Sequence, residues 1–279
     1  MELSGIVVGA ALLSAMLHAG WNAAVKAAPD PHSAMVAQVV GGGLLALPLL
    51  FFVPLPTWGA VPWLAGSALF NFLTLSTLLR GYASGGGFGL VYPLSRAVAP
   101  LLVLLAARGL QGEAVSMTGV FGIMLVSGAV ALFTVGEARA LRSALGWALL
   151  AGVFSAAYAL CDGNGARVSP SVLGYGLVMS VINAAVFGAT YALRTRVSPV
   201  QAIRDNIGIA TLASAASNLS YFLILWVWTM APIAVGSALR DTSVVFAAII
   251  ATVMGEKLTG RRVAAILLAA AGAAIIRFA

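Results

Sequence analysis

The stretch RAVAPLLVLLAARGLQGEAVS, residues 96–116, places an arginine at one end of an apolar run that continues into Gly-Glu and a serine. A second stretch, RDTSVVFAAIIATVMGEKLT at residues 240–259, has the same order, with an arginine-to-glutamate spacing that is one residue shorter. Each stretch therefore holds a permanently charged side chain within an apolar segment. What such a charge does depends on whether the segment belongs to a soluble core or to a membrane span.

The composition is that of a membrane protein. Of the 279 residues, 61% are hydrophobic and 8% are charged, and the mean hydropathy is +1.04, whereas soluble domains are about half apolar and about a quarter charged. Because a membrane helix needs about 20 apolar residues, the sequence predicts an all-α membrane protein with ten transmembrane helices. They cover residues 4–25, 33–53, 59–79, 88–107, 117–135, 144–161, 171–193, 207–228, 233–254 and 263–276.

Several other classes of protein are disfavoured. The first helix follows Met1 and Glu2 without a basic region, so we expect it to be retained rather than cleaved as a signal peptide. Cys161 is the only cysteine and no Cys/His spacing indicates a metal site, so no disulfide, metal or cofactor is expected. No HExxH, GxSxG or phosphate-binding loop motif indicates an enzyme. The run CDGNG, residues 161–165, is typical of a turn at the end of the sixth helix.

The net charge of +7 belongs mainly to loops and helix ends. These basic residues form no soluble face, so nucleic acid is not expected as a partner, and the lipid bilayer is. Basic loops stay in the cytoplasm, which predicts a multi-pass plasma or inner membrane protein with both termini outside. The cytoplasmic residues are then Lys26, Arg80, Arg139, Arg142, Arg194, Arg196, Arg204, Lys257, Arg261 and Arg262, and the outer ones are Arg108, Arg167 and Arg277.

Similarity between the two halves extends to their first helices. GAALLSAMLHAGWNAA, residues 9–24, aligns with GWALLAGVFSAAYALC, residues 146–161, so that Trp21 matches Tyr158. Two diverged copies of five helices explain this pattern. Because five is odd, the copies are expected to be inverted relative to each other, as in many secondary transporters with a substrate site between the halves. The copies cover residues 1–138 and 139–279.

With these motifs the whole chain resembles the drug/metabolite transporter superfamily, in its ten-helix EamA-type branch. The resemblance is carried by Gly112-Glu113 and Gly255-Glu256, and by LHAGWN and FSAAYA in the paired first helices. It implies a permease with a central cavity. Some members export amino acids, among them aromatic amino-acid exporters of the YddG type, and others move sugars, nucleotide-linked compounds, choline or cations. Members are often drawn with both termini in the cytoplasm, opposite to the charge count.

The two arginines lie deep in their predicted helices. A charge at that depth costs about 2.5 to 3.5 kcal/mol on insertion scales, so each needs a partner. Asp241 follows Arg240 directly but points about 100° away on a helix, so its partner is expected across a helix interface. Two interpretations stay open for Arg96 and Arg240. Either an internal ion pair with Asp241 locks the two halves together, or a guanidinium binds a carboxylate or phosphate of the substrate.

A hinge is predicted next to Arg96. Pro93 and Pro100 each remove a backbone donor, which predicts that the helix bends or unwinds between them, and irregular backbone in a membrane is tolerated where it lines a cavity. Gly85, Gly86 and Gly87 form a flexible entry to this helix. The alternative for these glycines is a loop and close packing.

Polar and aromatic residues at helical spacing predict a cavity between the first, third, fourth, sixth, eighth and ninth helices. Each could instead bond a neighbouring helix, for about 0.6 kcal/mol. The candidate substrate-binding residues are Arg96, Arg240, Asp241, Tyr92, Tyr82, His18, Trp21, Asn22, Asn71, Tyr158, Asn218, Tyr221 and Ser237.

The resulting hypothesis is a secondary transporter that exports amino acids, aromatic ones included, or related small zwitterions by alternating access. The alternatives are efflux of cationic drugs, transport of another metabolite such as a sugar, choline or a phosphonate, or a non-transporting membrane subunit. Proton coupling would need His18, Asp162 or Asp241, and uncoupled diffusion is also open. Small residues around Gly119 and Gly122 and at residues 269–274 indicate close helix packing or a homodimer contact.

Overall fold

The computed structural model describes residues 3–132, 142–253 and 259–278, and for residues 86–89 and 110–111 the backbone only. All regular structure within these ranges is helical. The α-helices are α1 Gly5–Lys26, α2 Pro31–Ala46, α3 Val61–Gly81, α4 Gly87–Gln111, α5 Met117–Leu132, α6 Arg142–Val168, α7 Val172–Thr195, α8 Pro199–Asp205, α9 Ser214–Met230, α10 Ile233–Asp241, α11 Ser243–Val253 and α12 Gly260–Ile276.

The protein is a multi-pass membrane protein, as the composition predicts. Large apolar side chains such as Leu212 (78% exposed) and Leu267 (65% exposed) cover its outside, where lipid is as apolar as they are. In the places of the fifth and tenth predicted spans lie the shorter helices α5, of 16 residues, and α12, of 17. Within the described ranges, eight helical segments are long and apolar enough to cross a bilayer: Gly5–Lys26, Pro31–Phe52, Trp58–Gly85, Leu90–Gly109, Arg142–Val168, Val172–Thr195, Ile209–Met230 and Ile233–Val253.

The interruption before Arg96 lies at Gly85 and not between the prolines. Gly85 has a φ of 86° within the π-helical segment Tyr82–Gly86, a left-handed conformation that glycine adopts without a steric penalty. The helix α4 then runs unbroken through Pro93 and Pro100. The predicted unwinding between these prolines is therefore wrong, because membrane helices tolerate proline where surrounding groups satisfy the freed carbonyl.

The ninth predicted span is divided into two helices. The first, α10, ends at Asp241 and α11 begins at Ser243, with Thr242 between them. The Thr242 hydroxyl donates to the Leu239 carbonyl at 2.6 Å, which satisfies an acceptor that the helix end leaves open. Arg240 and Asp241 therefore occupy the last turn of a half-helix inside the membrane.

The run CDGNG is helical, so its interpretation as a turn is wrong. The helix α6 continues through it to Val168. A Cβ on Gly163 would overlap the side chain of Ile233, and one on Gly165 would overlap the ring of Tyr175. These glycines serve close packing of α6 against α10 and α7, rather than chain reversal. Asp162 is thereby held on a helix within the membrane.

The helices of the two halves pack between each other. The helix α6 packs on α3 and α4, α1 packs on α9, α10 and α11, and α2 with α7, α4 with α10 and α5 with α12 form further pairs. In the last pair, a Cβ on Gly122 or on Gly272 would come 3.0 Å from the carbonyl oxygen of the other glycine. These small residues therefore serve contacts within the chain, and a homodimer stays a prediction.

The bundle has two distinct ends. The Leu3 amide donates to the Arg277 carbonyl at 3.0 Å, so the start of α1 and the end of α12 meet at one of them, which we call the terminal end. The other, the basic end, carries the ends of α1, α3 and α7 with Lys26, Arg80 and Arg194. This arrangement agrees with the predicted distribution of charge between the two faces.

Candidate functional site

A cavity of about 550 Å³ lies between the helices of both halves. Its mouth is at the basic end, where Pro31, His32 and Arg194 line it and are exposed. Its floor, deep in the bundle, includes Asp162 and Arg240, both buried. The cavity is thus open to water at the basic end and has charged groups at its floor.

Most of the predicted binding residues line this cavity. Asp241 and Ser237 do not, but lie behind the floor around a small void that also contacts Arg96, Tyr158 and Arg240. The Nε1 donor of Trp21 is buried without a hydrogen-bond partner in the described part of the chain. The residues on the cavity wall are His18, Trp21, Asn22, Asn71, Tyr82, Tyr92, Arg96, Tyr158, Asn218, Tyr221 and Arg240.

Arg96 is held by contacts to two other helices and to a ring on its own helix. Its Nη1 lies 3.3 Å from Oδ1 of Asp241 on α10, and its Nη2 lies 3.4 Å from Nε2 of His18 on α1. Because a guanidinium can only donate, His18 Nε2 accepts this bond. The guanidinium carbon also stands 5.3 Å from the ring centre of Tyr92, within cation–π range. An ion pair across helices, one of the two sequence interpretations, is therefore present for Arg96.

Arg240 stands in contrast. The residue is 9% exposed, and within the described residues its guanidinium forms no ion pair and its buried Nε has no hydrogen-bond partner. Asp241 is its neighbour in sequence but forms its ion pair with Arg96. A buried guanidinium in this condition is ready to accept an anionic ligand, because an unsatisfied buried donor carries a desolvation penalty.

Asp162 is a buried carboxylate that the sequence reasoning considered only for proton coupling. It is 2% exposed, and it accepts the hydroxyl of Tyr175 at 3.1 Å and that of Tyr221 at 2.8 Å. No cation pairs with it among the described residues. The signal that would have found it is an ionisable residue within an apolar helix, which the turn assignment of CDGNG hid.

The cavity amides bond to neighbouring helices. Asn71 Nδ2 donates to the side-chain oxygen of Asn183 at 3.3 Å. Asn218 Nδ2 donates to the Gly42 carbonyl at 2.9 Å, while its oxygen accepts the Ser180 hydroxyl at 3.2 Å. Such bonds hold α3 against α7 and α9 against α2 and α7. For these two amides a structural role is observed.

The terminal end is closed by a network that sequence reasoning did not identify. Glu113, in the linker after α4, pairs with Arg167 at the end of α6 at 2.6 Å. Its other oxygen accepts the amide of Ile233 at the start of α10 at 3.0 Å, where the helix dipole favours a negative charge. Arg167 also donates to the carbonyls of Trp228 and Ala231, at 2.9 and 3.0 Å. Four segments are thus fastened at the end opposite the mouth.

The described ranges hold no group of three or more His, Cys, Asp or Glu residues placed to bind a metal ion. The cavity is lined by the guanidinium groups of Arg96, Arg194 and Arg240, by the carboxylate of Asp162 and by aromatic rings. Such a set can bind charged organic groups by hydrogen bonds and ring contacts.

Comparison with known proteins agrees with this architecture. Residues 142–278 match the EamA-like transporter family, which is a family of transporters and not of enzymes. A solved structure titled "Crystal structure of protein" is similar with a TM-score of 0.69 and 17% identity, over 96% of this chain and 94% of that chain. At this identity the similarity concerns the fold alone. No curated protein matches the chain significantly.

Proposed function

We propose that this chain is a secondary transporter of the drug/metabolite superfamily that exports amino acids, aromatic ones included, or related small zwitterions. The observation that carries the proposal is the cavity of about 550 Å³ with Arg240 and Asp162 at its floor. Ligand sites commonly measure about 300 to 1,000 Å³. A guanidinium and a carboxylate in one cavity match the two charges of a zwitterion.

The proposal includes two inverted five-helix repeats. In two such repeats α1 corresponds to α6, and α3 corresponds to α9. The packing of α3 on α6 then has its counterpart in the packing of α9 on α1, and both contacts occur. The pair α2 and α7 is antiparallel, because Gly43 lies against Ala184 while Val40 lies against Gly188. Helices related by an axis in the membrane plane must run antiparallel, so this pairing supports inversion.

Alternating access follows from the two ends of the bundle. The mouth is open at the basic end, which the positive-inside rule assigns to the cytoplasm, while Glu113 and Arg167 close the terminal end. A substrate would enter from the cytoplasm in this state. Release on the far side would require the Glu113–Arg167 network to separate, and Gly85 offers a hinge beside α4.

Aromatic residues supply the apolar part of the proposed site. Tyr82, Tyr92, Tyr158 and Trp21 line the cavity. Their rings can pack against an aromatic side chain at favourable centre distances of about 4.5 to 7 Å. This lining supports aromatic amino acids within the zwitterion class.

A second candidate is export of a cationic amine. The observation that favours it is Asp162, a buried carboxylate on the cavity floor without a cationic partner in the described residues. A cation would nevertheless have to approach Arg240, and like charges repel in such surroundings. The zwitterion therefore fits the floor better.

The test is uptake of labelled amino acids into proteoliposomes, with and without a pH gradient. We expect flux of at least one aromatic or other neutral amino acid, competed by unlabelled amino acid and not by an amine without a carboxylate. Arg204→Ala, at an exposed position outside the cavity, is the matched control for Arg240→Ala. Flux of amines alone would select the second candidate, and no flux of any compound under either condition would reject transport of this class.

A further inference from the structure

We infer that Arg240 and Asp162 are the two charged contacts of the substrate, for its carboxylate and its ammonium group, whereas Arg96 is a positioning residue fixed by Asp241. This inference rests on the proposed transport of a zwitterion. It assigns different roles to Arg96 and Arg240, which begin similar stretches of sequence.

The guanidinium of Arg96 is already bound within the protein. Its two terminal nitrogens face Asp241 and His18 at 3.3 and 3.4 Å, and its plane stands beside the ring of Tyr92. A substrate carboxylate could bind this guanidinium bidentately only by displacing Asp241, which would leave that carboxylate buried without a cation. Breaking a buried pair in this way is strongly unfavourable. Arg96 therefore holds α4 and α1 against α10.

Arg240, in contrast, lacks acceptors that a buried guanidinium requires. Its Nε is buried without a partner, and the residue contributes to the cavity floor. The planar fork of an arginine matches both oxygens of a carboxylate. A bound carboxylate would supply the missing acceptors and the missing charge together, which is the function this geometry favours.

Asp162 offers the contact for the ammonium group of the substrate. Each of its oxygens accepts one tyrosine hydroxyl, from Tyr175 and Tyr221, and an ionised carboxylate has about four acceptor sites. Capacity therefore remains for about two of the three donors of an ammonium group, and the tyrosines fix the carboxylate in place. Tyr158 lies one helical turn before Asp162 on α6 and also lines the cavity. Its ring can contact the part of the substrate next to the ammonium group.

Three probes separate the two contacts. Phenylalanine carries both charges, phenethylamine lacks the carboxylate, and 3-phenylpropionate lacks the ammonium group. Binding to the purified full-length protein is measured by isothermal titration or by the ligand-induced rise in melting temperature. We expect the wild type to prefer phenylalanine over each of the others by at least about tenfold, the size of one charge-assisted contact.

Matched variants then assign the contacts. Arg240→Gln should abolish the preference over phenethylamine and keep the preference over 3-phenylpropionate, and Asp162→Asn should do the reverse. Arg96→Gln should weaken all three probes by a similar factor, because it disturbs the position of α10 and not one charge. Arg240→Lys, which keeps the charge and loses the fork, should give an intermediate preference. Tyr221→Phe, which leaves Asp162 in place, should weaken the ammonium preference only partly.

The outcomes separate this inference from the proposed function. If the wild type binds none of the three probes and transports no amino acid, the proposed substrate class is wrong. If the wild type prefers phenylalanine but Arg240→Gln keeps that preference, or Arg96→Gln selectively loses the carboxylate preference, the assignment of Arg240 is overturned. Should Arg240→Gln or Asp162→Asn not fold, Arg240→Lys and Tyr221→Phe decide, and an unchanged preference in both would refute the inference.

Discussion

Arg96 and Arg240 begin two similar stretches of sequence, yet one guanidinium is bound within the protein and the other is not. Arg96 contacts Asp241, His18 and Tyr92, while Arg240 has a buried Nε without a partner in the described residues. The difference begins with the following residue, since Arg96 precedes Ala97 and Arg240 precedes Asp241. Of the two arginines, only Arg96 forms an ion pair with Asp241, because adjacent residues of a helix point about 100° apart.

This asymmetry teaches that a duplicated motif does not imply duplicated roles. The helix α4 continues for several turns beyond Arg96, whereas α10 ends directly after Arg240. Arg96 thus sits where three helices can surround it, and Arg240 sits at the end of a half-helix that faces the cavity floor. In the function we propose, Arg240 is thus free to bind a ligand while Arg96 maintains the contact of α4 with α10.

The largest expected effect tests the ion pair between Arg96 and Asp241. Arg96→Ala leaves Asp241 buried without a cation, and such changes cost about 3 to 5 kcal/mol, so the free energy of unfolding should fall by that order. Thermal unfolding in detergent measures it. The double variant Arg96→Ala with Asp241→Ala removes both charges and should recover most of the loss. A double variant as unstable as the single one would contradict the pairing.

Arg240→Ala should have the next largest effect, and on transport instead of stability. A charge-assisted contact is worth about 1.5 to 3 kcal/mol, so transport of the amino acid should fall by roughly tenfold to a hundredfold. The melting temperature should stay level or rise, because the variant removes a buried unsatisfied donor. Flux and unfolding are measured on the same preparation, with Arg204→Ala beside it. A clear loss of stability would show that Arg240 braces the fold as Arg96 does.

Arg167 provides a third arginine for the comparison, with an ion pair to Glu113 and hydrogen bonds to two carbonyls at the terminal end. Glu113→Gln weakens its ion pair, and we expect a cost of about 1 to 2 kcal/mol because the amide still accepts the Ile233 N–H. The state open at the terminal end should then become more populated. A cysteine placed at Ala231 would react faster with a membrane-impermeant thiol reagent in this variant than in the protein with wild-type Glu113, both after Cys161→Ser. Equal reaction rates would contradict the closing role.

The smallest expected effect comes from an uncharged contact between α1 and α9. It measures how much stability such a contact contributes. Ser14 and Ser220 are buried and donate to each other's backbone carbonyls at 2.7 Å. Ser14→Ala should cost about 0.6 kcal/mol of stability, the average for such bonds in membranes, and leave transport unchanged. A large loss of transport in this variant would show that any disturbance of helix packing impairs function, and would weaken the case for Arg240.

The sequence predicted much of what lines the cavity. Helical spacing placed His18, Trp21 and Asn22 on one face of α1, and all three reach the cavity. The charged positions in apolar segments also indicated two residues of the cavity wall, Arg96 and Arg240. Spacing could not choose which arginine Asp241 would meet, because that choice depends on where α10 ends and on which helix passes beside it.

Two misreadings have a common physical origin. Glycines in CDGNG suggested a turn, and prolines around Arg96 suggested unwinding, but α6 and α4 run through both. Glycine and proline act on the isolated backbone in ways that neighbouring helices can override, by packing against a bare Cα at Gly163 or by satisfying a freed carbonyl. The actual interruption at Gly85 uses the property that only glycine has, a positive φ without a steric penalty.

By itself the sequence determined that this chain spans the membrane many times, because apolar length is a local property that needs no partner. It also determined that two arginines and one carboxylate, Asp241, lie within the apolar segments. Only the tertiary structure decided that Arg96 is paired, that Arg240 and Asp162 share the floor of one cavity, and that Glu113 and Arg167 close the opposite end. Those relations join residues far apart in the chain, so they exist only once the helices have packed.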